Sequence, residues 1–132
     1  MTAIAQAAAL LSDVIIQVAA TKTATGNSGN GVDLLDYDGL ARFQLVSAKG
    51  TGNADNTLDV KLQESDTSGG TFTDITGAAF TQVLGTGGAD VISGVVVDLK
   101  SAKRFIRAAW TIAGTTPSFI FSVSAVPLKK YR

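Results

Sequence analysis

The chain has 132 residues, no cysteine, no histidine, and 11 basic against 11 acidic side chains. That length makes one domain with a real core and no need of a disulfide. The two missing residue types exclude thiolate nucleophiles, Cys- or His-ligated metal, His-based triads and an imidazole pH switch. Catalysis would fall to carboxylates, Lys, Tyr or Ser, so the chain reads as a binding or structural protein, not an enzyme, with no cofactor and no metal.

Charge is unevenly placed. Every acidic residue lies between Met1 and Asp98, with Lys22, Arg42, Lys49 and Lys61 among them. From Leu99 onward there are only Lys100, Lys103, Arg104, Arg107, Lys129, Lys130 and Arg132. Such asymmetry suits an acidic partner, or else acidic and basic strands that neighbour one another in the fold. The second reading is the stronger.

Met1 to Ala20 is apolar and alanine-rich, but Gln6 and Ser12-Asp13 interrupt it, so it falls short of a membrane span. It also lacks the basic start of a secretory signal. Ala3 to Leu11 has the propensity for a short helix, and the β-branched Val14 to Val18 reads as a strand. An exposed apolar terminus needs a cover. It either folds back as an edge strand or docks on a partner subunit, and the arm is the reading taken. Thr21 to Gly31 is a polar, aperiodic loop that separates this arm from the body. The division expected is therefore 1–32 for arm and loop and 33–132 for the domain.

Asp33, Asp36 and Asp38 form the densest acidic cluster. Calcium takes hard oxygen ligands, but about six to eight of them, and the spacing is not that of an EF-hand. The segment instead reads as the solvated start of a strand, with Leu35 and Tyr37 packing inward. Leu40 to Lys49 is a strand with Phe43 and Leu45 on one face and Arg42 and Gln44 on the other. After a Gly- and Asn-rich loop, Leu58, Val60 and Leu62 alternate with Asp59, Lys61 and Gln63. A Ser-Asp-Thr-Ser-Gly-Gly turn then leads to a second strand at Thr71 to Ile75, making a hairpin. Gly77 to Leu84 is a short strand anchored by Phe80.

Val91 to Leu99 is a strand with Val95, Val97 and Leu99 on one face, and Gly94 marks a bulge or bend. Arg104 to Ile112 follows, with Ile106, Ala108, Trp110 and Ile112 on one face and Phe105, Arg107 and Ala109 on the other. These two strands read as a hairpin. Trp110 reads as a core anchor. Ser118 to Val126 is the last strand, with Phe119, Phe121 and Val123 inward and Pro127 ending it. The pattern is all-β: an antiparallel β-sandwich, jelly-roll or Ig-like, of about seven or eight strands with an extended N-terminal arm.

Two chemistries remain to be weighed. Asp59, Glu64, Asp66 and Asp74 lie near one hairpin, where a glycosidase pair would need about 5 to 9 Å between carboxylates. Phe105 and Tyr131 near Arg104, Arg107, Lys129 and Arg132 are a thin version of a single-stranded nucleic-acid site. Neither is specific enough to carry a function, and no direct nucleic-acid or membrane partner is expected.

Three stretches, Leu40 to Ser47, Leu58 to Ile75 (LDVKLQESDTSGGTFTDI) and Val97 to Ala108 (VDLKSAKRFIRA), resemble in this order the small β-sandwich head decoration, or cement, proteins of tailed bacteriophages. The resemblance spans about residues 35–127 and carries no catalytic residue. It implies a virion protein on the outer capsid surface, made in the host cytoplasm during assembly. Its partners would be the major capsid protein and itself, as a homotrimer or a dimer. The chain ends would then make the contacts: Ile4, Leu10, Leu11, Val14, Ile16 and Val18 at one end, and Leu128, Lys129, Lys130, Tyr131 and Arg132 at the other. A tail or neck component is the alternative. So is a carbohydrate-binding or host-adhesion module using Tyr37, Phe105 and Tyr131.

Overall fold

A computed structural model describes residues 13–129. Ten strands follow one another: β1 (Val14–Lys22), β2 (Gly26–Asn27), β3 (Val32–Asp33), β4 (Tyr37–Ser47), β5 (Thr57–Ser65), β6 (Thr73–Ala79), β7 (Val83–Leu84), β8 (Val91–Asp98), β9 (Phe105–Ala113) and β10 (Phe119–Lys129). They form two antiparallel sheets. Sheet I has the order β1-β10-β4-β8. In sheet II, β9 and β5 are central, with β2 and β3 along the free side of β9 and β6 and β7 along that of β5.

The pairing is nested. The short β2 and β3 occupy one strand position, and β6 and β7 another, which leaves eight positions. The first pairs with the last (β1·β10), the second with the seventh (β2/β3·β9), the third with the sixth (β4·β8) and the fourth with the fifth (β5·β6/β7). That is the wrapping of a jelly roll, one of the two sandwich forms expected.

The core lies between the sheets, where alternation put it. Phe43 and Leu45 of β4, Phe119, Phe121 and Val123 of β10, Leu58, Val60 and Leu62 of β5, and Ile106, Ala108 and Trp110 of β9 are all buried. Each large side chain so enclosed contributes about 1.5–3 kcal/mol, an upper bound because a denatured chain is already partly compact. Trp110 packs edge-on against Phe121, ring centroids 5.2 Å apart across the sandwich.

The sequence reading needs correction in several places. First, Val14–Lys22 is not part of an arm. It is the edge strand of sheet I, paired with β10 from Val14↔Ala125 to Lys22↔Phe119. Second, the polar loop does not stand apart from the body. It crosses from sheet I to sheet II and supplies β2 and β3. The Trp110 Nε1–H donates to the Ala24 carbonyl at 3.1 Å. Gly26 lies on the indole face, where even a Cβ would sit 3.5 Å from ring atoms. Lys22 Nζ lies 5.4 Å from the ring centroid.

Third, β8 and β9 are not a hairpin. β8 pairs with β4 in sheet I and β9 with β5 in sheet II, so residues 99–104 arch between the layers. A linker of that length suits either connection, and the sequence does not separate them. Fourth, Leu34, not Leu35, packs inward (4% against 50% exposed), because a turn closed by Tyr37 N–H to Leu34 C=O breaks the alternation. Fifth, β10 runs through Pro127. Its register with β4 shifts between Val126 and Leu128, and β1 pairs with it no further than Ala125. A residue without an N–H is tolerated at such a bulge. Sixth, β8 is unbroken in register at Gly94.

Because Trp110 ties the crossing segment to the core, Trp110→Phe is expected to leave the Ala24 carbonyl without its donor. The loss should be about 1–3 kcal/mol in urea unfolding. Amide exchange should accelerate at Gly26–Ser28 before it does in β5.

Candidate interaction surface

The outward faces of the two sheets differ in kind. On sheet II, Asp74 accepts from Lys61 Nζ at 2.8 Å and Gln63 Nε2 at 2.9 Å, and Arg107 Nε donates to Gln63 Oε1 at 2.9 Å. The Arg107 guanidinium stacks 4.1 Å from the centroid of Phe72, an aromatic the sequence reading passed over. This is a solvated face, its charges held by the Lys61–Asp74 ion pair and by polar and aromatic neighbours. The late basic residues reach the early acidic ones here, as strand neighbours. Arg104 forks onto Asp33 through Nε (2.9 Å) and Nη2 (2.7 Å), and Lys103 Nζ lies 3.8 Å from Asp66.

On sheet I the outward positions are largely aliphatic. Ile15 and Val18 project from β1, Ile120, Val126 and Leu128 from β10, Leu40 and Val46 from β4, and Ile92 and Val96 from β8, all exposed. Ile92 is 70% and Leu40 67% exposed, far from the burial their chemistry favours. Register aligns them in rows across the strands. Ser122, Val46 and Ile92 lie abreast; Ser124, Gln44 and Gly94 come next; then Val126, Arg42 and Val96. A Cβ at position 94 would collide with the Arg42 guanidinium, so Gly94 is the seat over which Arg42 lies flat. The glycine marks this seat and not a bulge. Monomers rarely expose contiguous apolar patches beyond a few hundred Å², and larger ones mark interaction sites.

The residues proposed for partner contact fall in three groups. Val18 and Leu128 are exposed, on the sheet I edge and on β10. Val14 packs against the core, and Ile16 lies within it at 5% exposure, so Ile16 cannot contact a partner. Lys129 is the last residue of β10. Ile4, Leu10, Leu11, Lys130, Tyr131 and Arg132 lie outside the described residues. What the sequence reading missed is the body of the face: Leu40, Val46, Ile92, Val96, Ile120 and Val126. The signal was there. VISGVVV is apolar at both odd and even positions, and FIFSVSAV adds Ile120 and Val126 at its outward ends, a pattern beyond what one buried face requires.

The carboxylates once weighed for catalysis have structural partners. Asp59 accepts from Gln82 Nε2, Asp74 from Lys61 and Gln63, and Glu64 from the Lys103 N–H. Asp33, first of the proposed calcium cluster, is committed to Arg104 and to the Leu35 N–H. Among the described residues no group of three or more acidic side chains converges as a metal site.

No protein-family model matches the chain, and no curated protein matches its sequence. Solved structures do match its fold. VP2 in the subviral particle of infectious bursal disease virus aligns over 90% of this chain and 32% of its own, with a TM-score of 0.54 and 12% identity. This chain thus spans about a third of VP2. The capsid asymmetric unit of cyanophage Pam1 aligns over 89% of this chain and 84% of that one, with a TM-score of 0.48 and 15% identity. The CBM22-1–GH10 modules of Clostridium thermocellum xylanase 10B, complexed with xylohexaose, align over 93% of this chain and 27% of that one, with a TM-score of 0.46 and 15% identity. At 12% identity the likeness to VP2 is one of fold.

The Asp33–Arg104 pair sets an acid response. The Arg104 hydrogen bond, then the Leu35 N–H, hold the Asp33 carboxyl down to about 2. A depressed carboxyl stabilises the fold above its unfolded value and ceases to as pH falls through the folded one. Asp33→Asn should therefore lower the urea midpoint near neutral pH. The gap to the parent protein should close between about pH 4 and about pH 2.

Proposed function

We propose that this chain is a virion structural protein of the decoration type, bound to the outside of an assembled capsid shell and stabilising it. The observation that carries the proposal is the exposed aliphatic outer face of sheet I. A protein working alone in water has no use for such a face, whereas a subunit of an assembly buries it. The opposite face, polar and internally hydrogen-bonded, suits the solvent side. The fold shared with VP2, which forms a subviral particle, supports the reading. So does the resemblance of Leu40–Ser47, Leu58–Ile75 and Val97–Ala108 to phage decoration proteins.

The role asks for a rigid frame and repeated contacts. Many copies on a lattice gain by avidity, so each contact can be weak. The major capsid protein is the shell partner, and a trimer of this chain is the assembly preferred. No catalytic step belongs to this role. On the shell side the contacts are Val18 and Leu128 with the chain ends beyond Val14 and Lys129.

Particle reconstructions with and without the protein test this directly. Density lost from the outer shell is expected, and density lost from the tail or neck would overturn the decoration role. Leu128→Asp should weaken binding to purified heads about tenfold or more, equivalent to about 1.4 kcal/mol. Unchanged occupancy would remove this end of β10 from the contact. Deleting Met1 to Ser12 should also weaken head binding.

A further inference from the structure

We propose that the free edge of β8 pairs antiparallel with β8 of a second copy about a two-fold axis, joining two four-stranded copies of sheet I into one continuous sheet. β8 ends sheet I, with β4 on one side and no strand on the other among the described residues. Two bonds fix where its backbone groups point. Leu99 N–H donates to the Gly39 carbonyl, and Ala48 N–H to the Ile120 carbonyl. β4 therefore bonds to β8 through its odd-numbered residues and to β10 through its even-numbered ones. The N–H and C=O groups of Val91, Ser93, Val95 and Val97 are thus turned to β4, and those of Ile92, Gly94 and Val96 to the free edge.

Nothing blunts this edge. VISGVVVD has no lysine and no proline, and its register with β4 is unbroken over all eight residues. Those are the devices that keep edges apart, and β1, at the opposite margin, has two register slips. Asp98 marks the limit of the edge. Its carbonyl already accepts from the Ser101 and Ala102 N–H groups, so a ladder ends at the Asp98 N–H.

Charge selects the register and the occupant. The Arg42 guanidinium lies over Gly94, and among the described residues no carboxylate pairs with it. An axis at Gly94 would set two guanidinium groups side by side, like charge against like. Moving the axis one residue, to Val95, keeps the outward groups facing one another. Gly94 then lies opposite the second copy's Val96, and Ile92 opposite its Asp98. Asp98 is exposed and shares the outer face with Ile92 and Val96. Its carboxylate becomes the diagonal neighbour of the other copy's Gly94 and its guanidinium, at about 7–8 Å between backbones, within reach of a long side chain. The two-fold axis makes this match twice, which favours a second copy over an unrelated strand. Being two-fold, the contact is separate from that of the trimer, and it doubles the width of the aliphatic face.

The pairing needs no capsid, so it is tested on the purified full chain and stands or falls apart from the decoration role. On the axis the two Val95 Cα atoms lie about 4.5 Å apart, inside the range of about 4.4–6.8 Å that a disulfide spans. The chain has no cysteine, so an introduced one reports alone. Val95→Cys, mildly oxidised, should migrate at twice 13.5 kDa on a non-reducing gel. Val91→Cys, which this register sets opposite Leu99, should stay at 13.5 kDa. Val96→Lys leaves every bond to β4 in place but puts a like charge beside the second copy's Arg42. It should halve the sedimenting mass of the unaltered chain with an unchanged β circular-dichroism spectrum. The bridge and the mass are independent readouts, so a variant that fails to fold leaves the other to decide. No bridge at position 95, equal bridging at position 91, or a mass indifferent to Val96→Lys would sink the idea. A bridge that forms only once Met1 to Ser12 is deleted would give the edge to the chain's own first residues, and overturn it as well.

Discussion

The indole of Trp110 is where the two sheets are tied together. Its ring meets Phe121 of the opposite sheet, its N–H holds the Ala24 carbonyl, and its face receives Gly26. Either side of that point the backbone follows β9. Thr25 Oγ1 accepts from the Ile112 N–H, and Ser28 exchanges bonds with Ala108. A buried indole donor needs a partner, and here the partner is the segment that carries the chain from one sheet to the other. The constraint therefore decides that residues 14–33 are body and not appendage, and it closes the free side of β9.

Edges and faces are managed differently in the two sheets. Sheet II covers its margins with short strands and fills its outer face with charged and polar side chains that hold one another. The outer edge of sheet I at β1 is irregular, its register with β10 slipping on both sides of Gln17. Such breaks discourage strand addition at an edge. The same sheet leaves its broad face aliphatic. The other edge, β8, pairs with β4 in unbroken register.

Much of this was legible in the residues. The strict alternation of Leu58, Val60 and Leu62 with polar neighbours placed β5, and Phe43/Leu45 and Phe119/Phe121/Val123 likewise gave β4 and β10 with their inner faces. The turn after β5 followed from its Ser-Asp-Thr-Ser-Gly-Gly chemistry, but the strand expected at Thr71 to Ile75 runs on as Thr73–Ala79, and the one expected at Gly77 to Leu84 is reduced to Val83–Leu84. What alternation cannot report is which strand lies beside which, since it depends only on one face being buried. That is why β8 and β9 were paired wrongly, and why Val14–Lys22 was assigned to an arm. The outer face of sheet I escaped notice for a related reason. Once Val95 and Val97 had been assigned inward, Ile92 and Val96 were left without a role, although their chemistry was unchanged.

The nested pairing also bears on how the chain acquires its shape. β10 sits between β1 and β4, so the strand at one end of the sequence must wait for the strand at the other. Few of these pairings join sequence neighbours, the topology that folds slowly, on the order of milliseconds to seconds. On the ribosome β1 emerges long before its only strand partner in sheet I. During that interval its aliphatic side chains have no sheet to join, and they are open to aggregation or to chaperone capture. The step that ends this exposure is the insertion of β10, which gives β1 its place in the sheet.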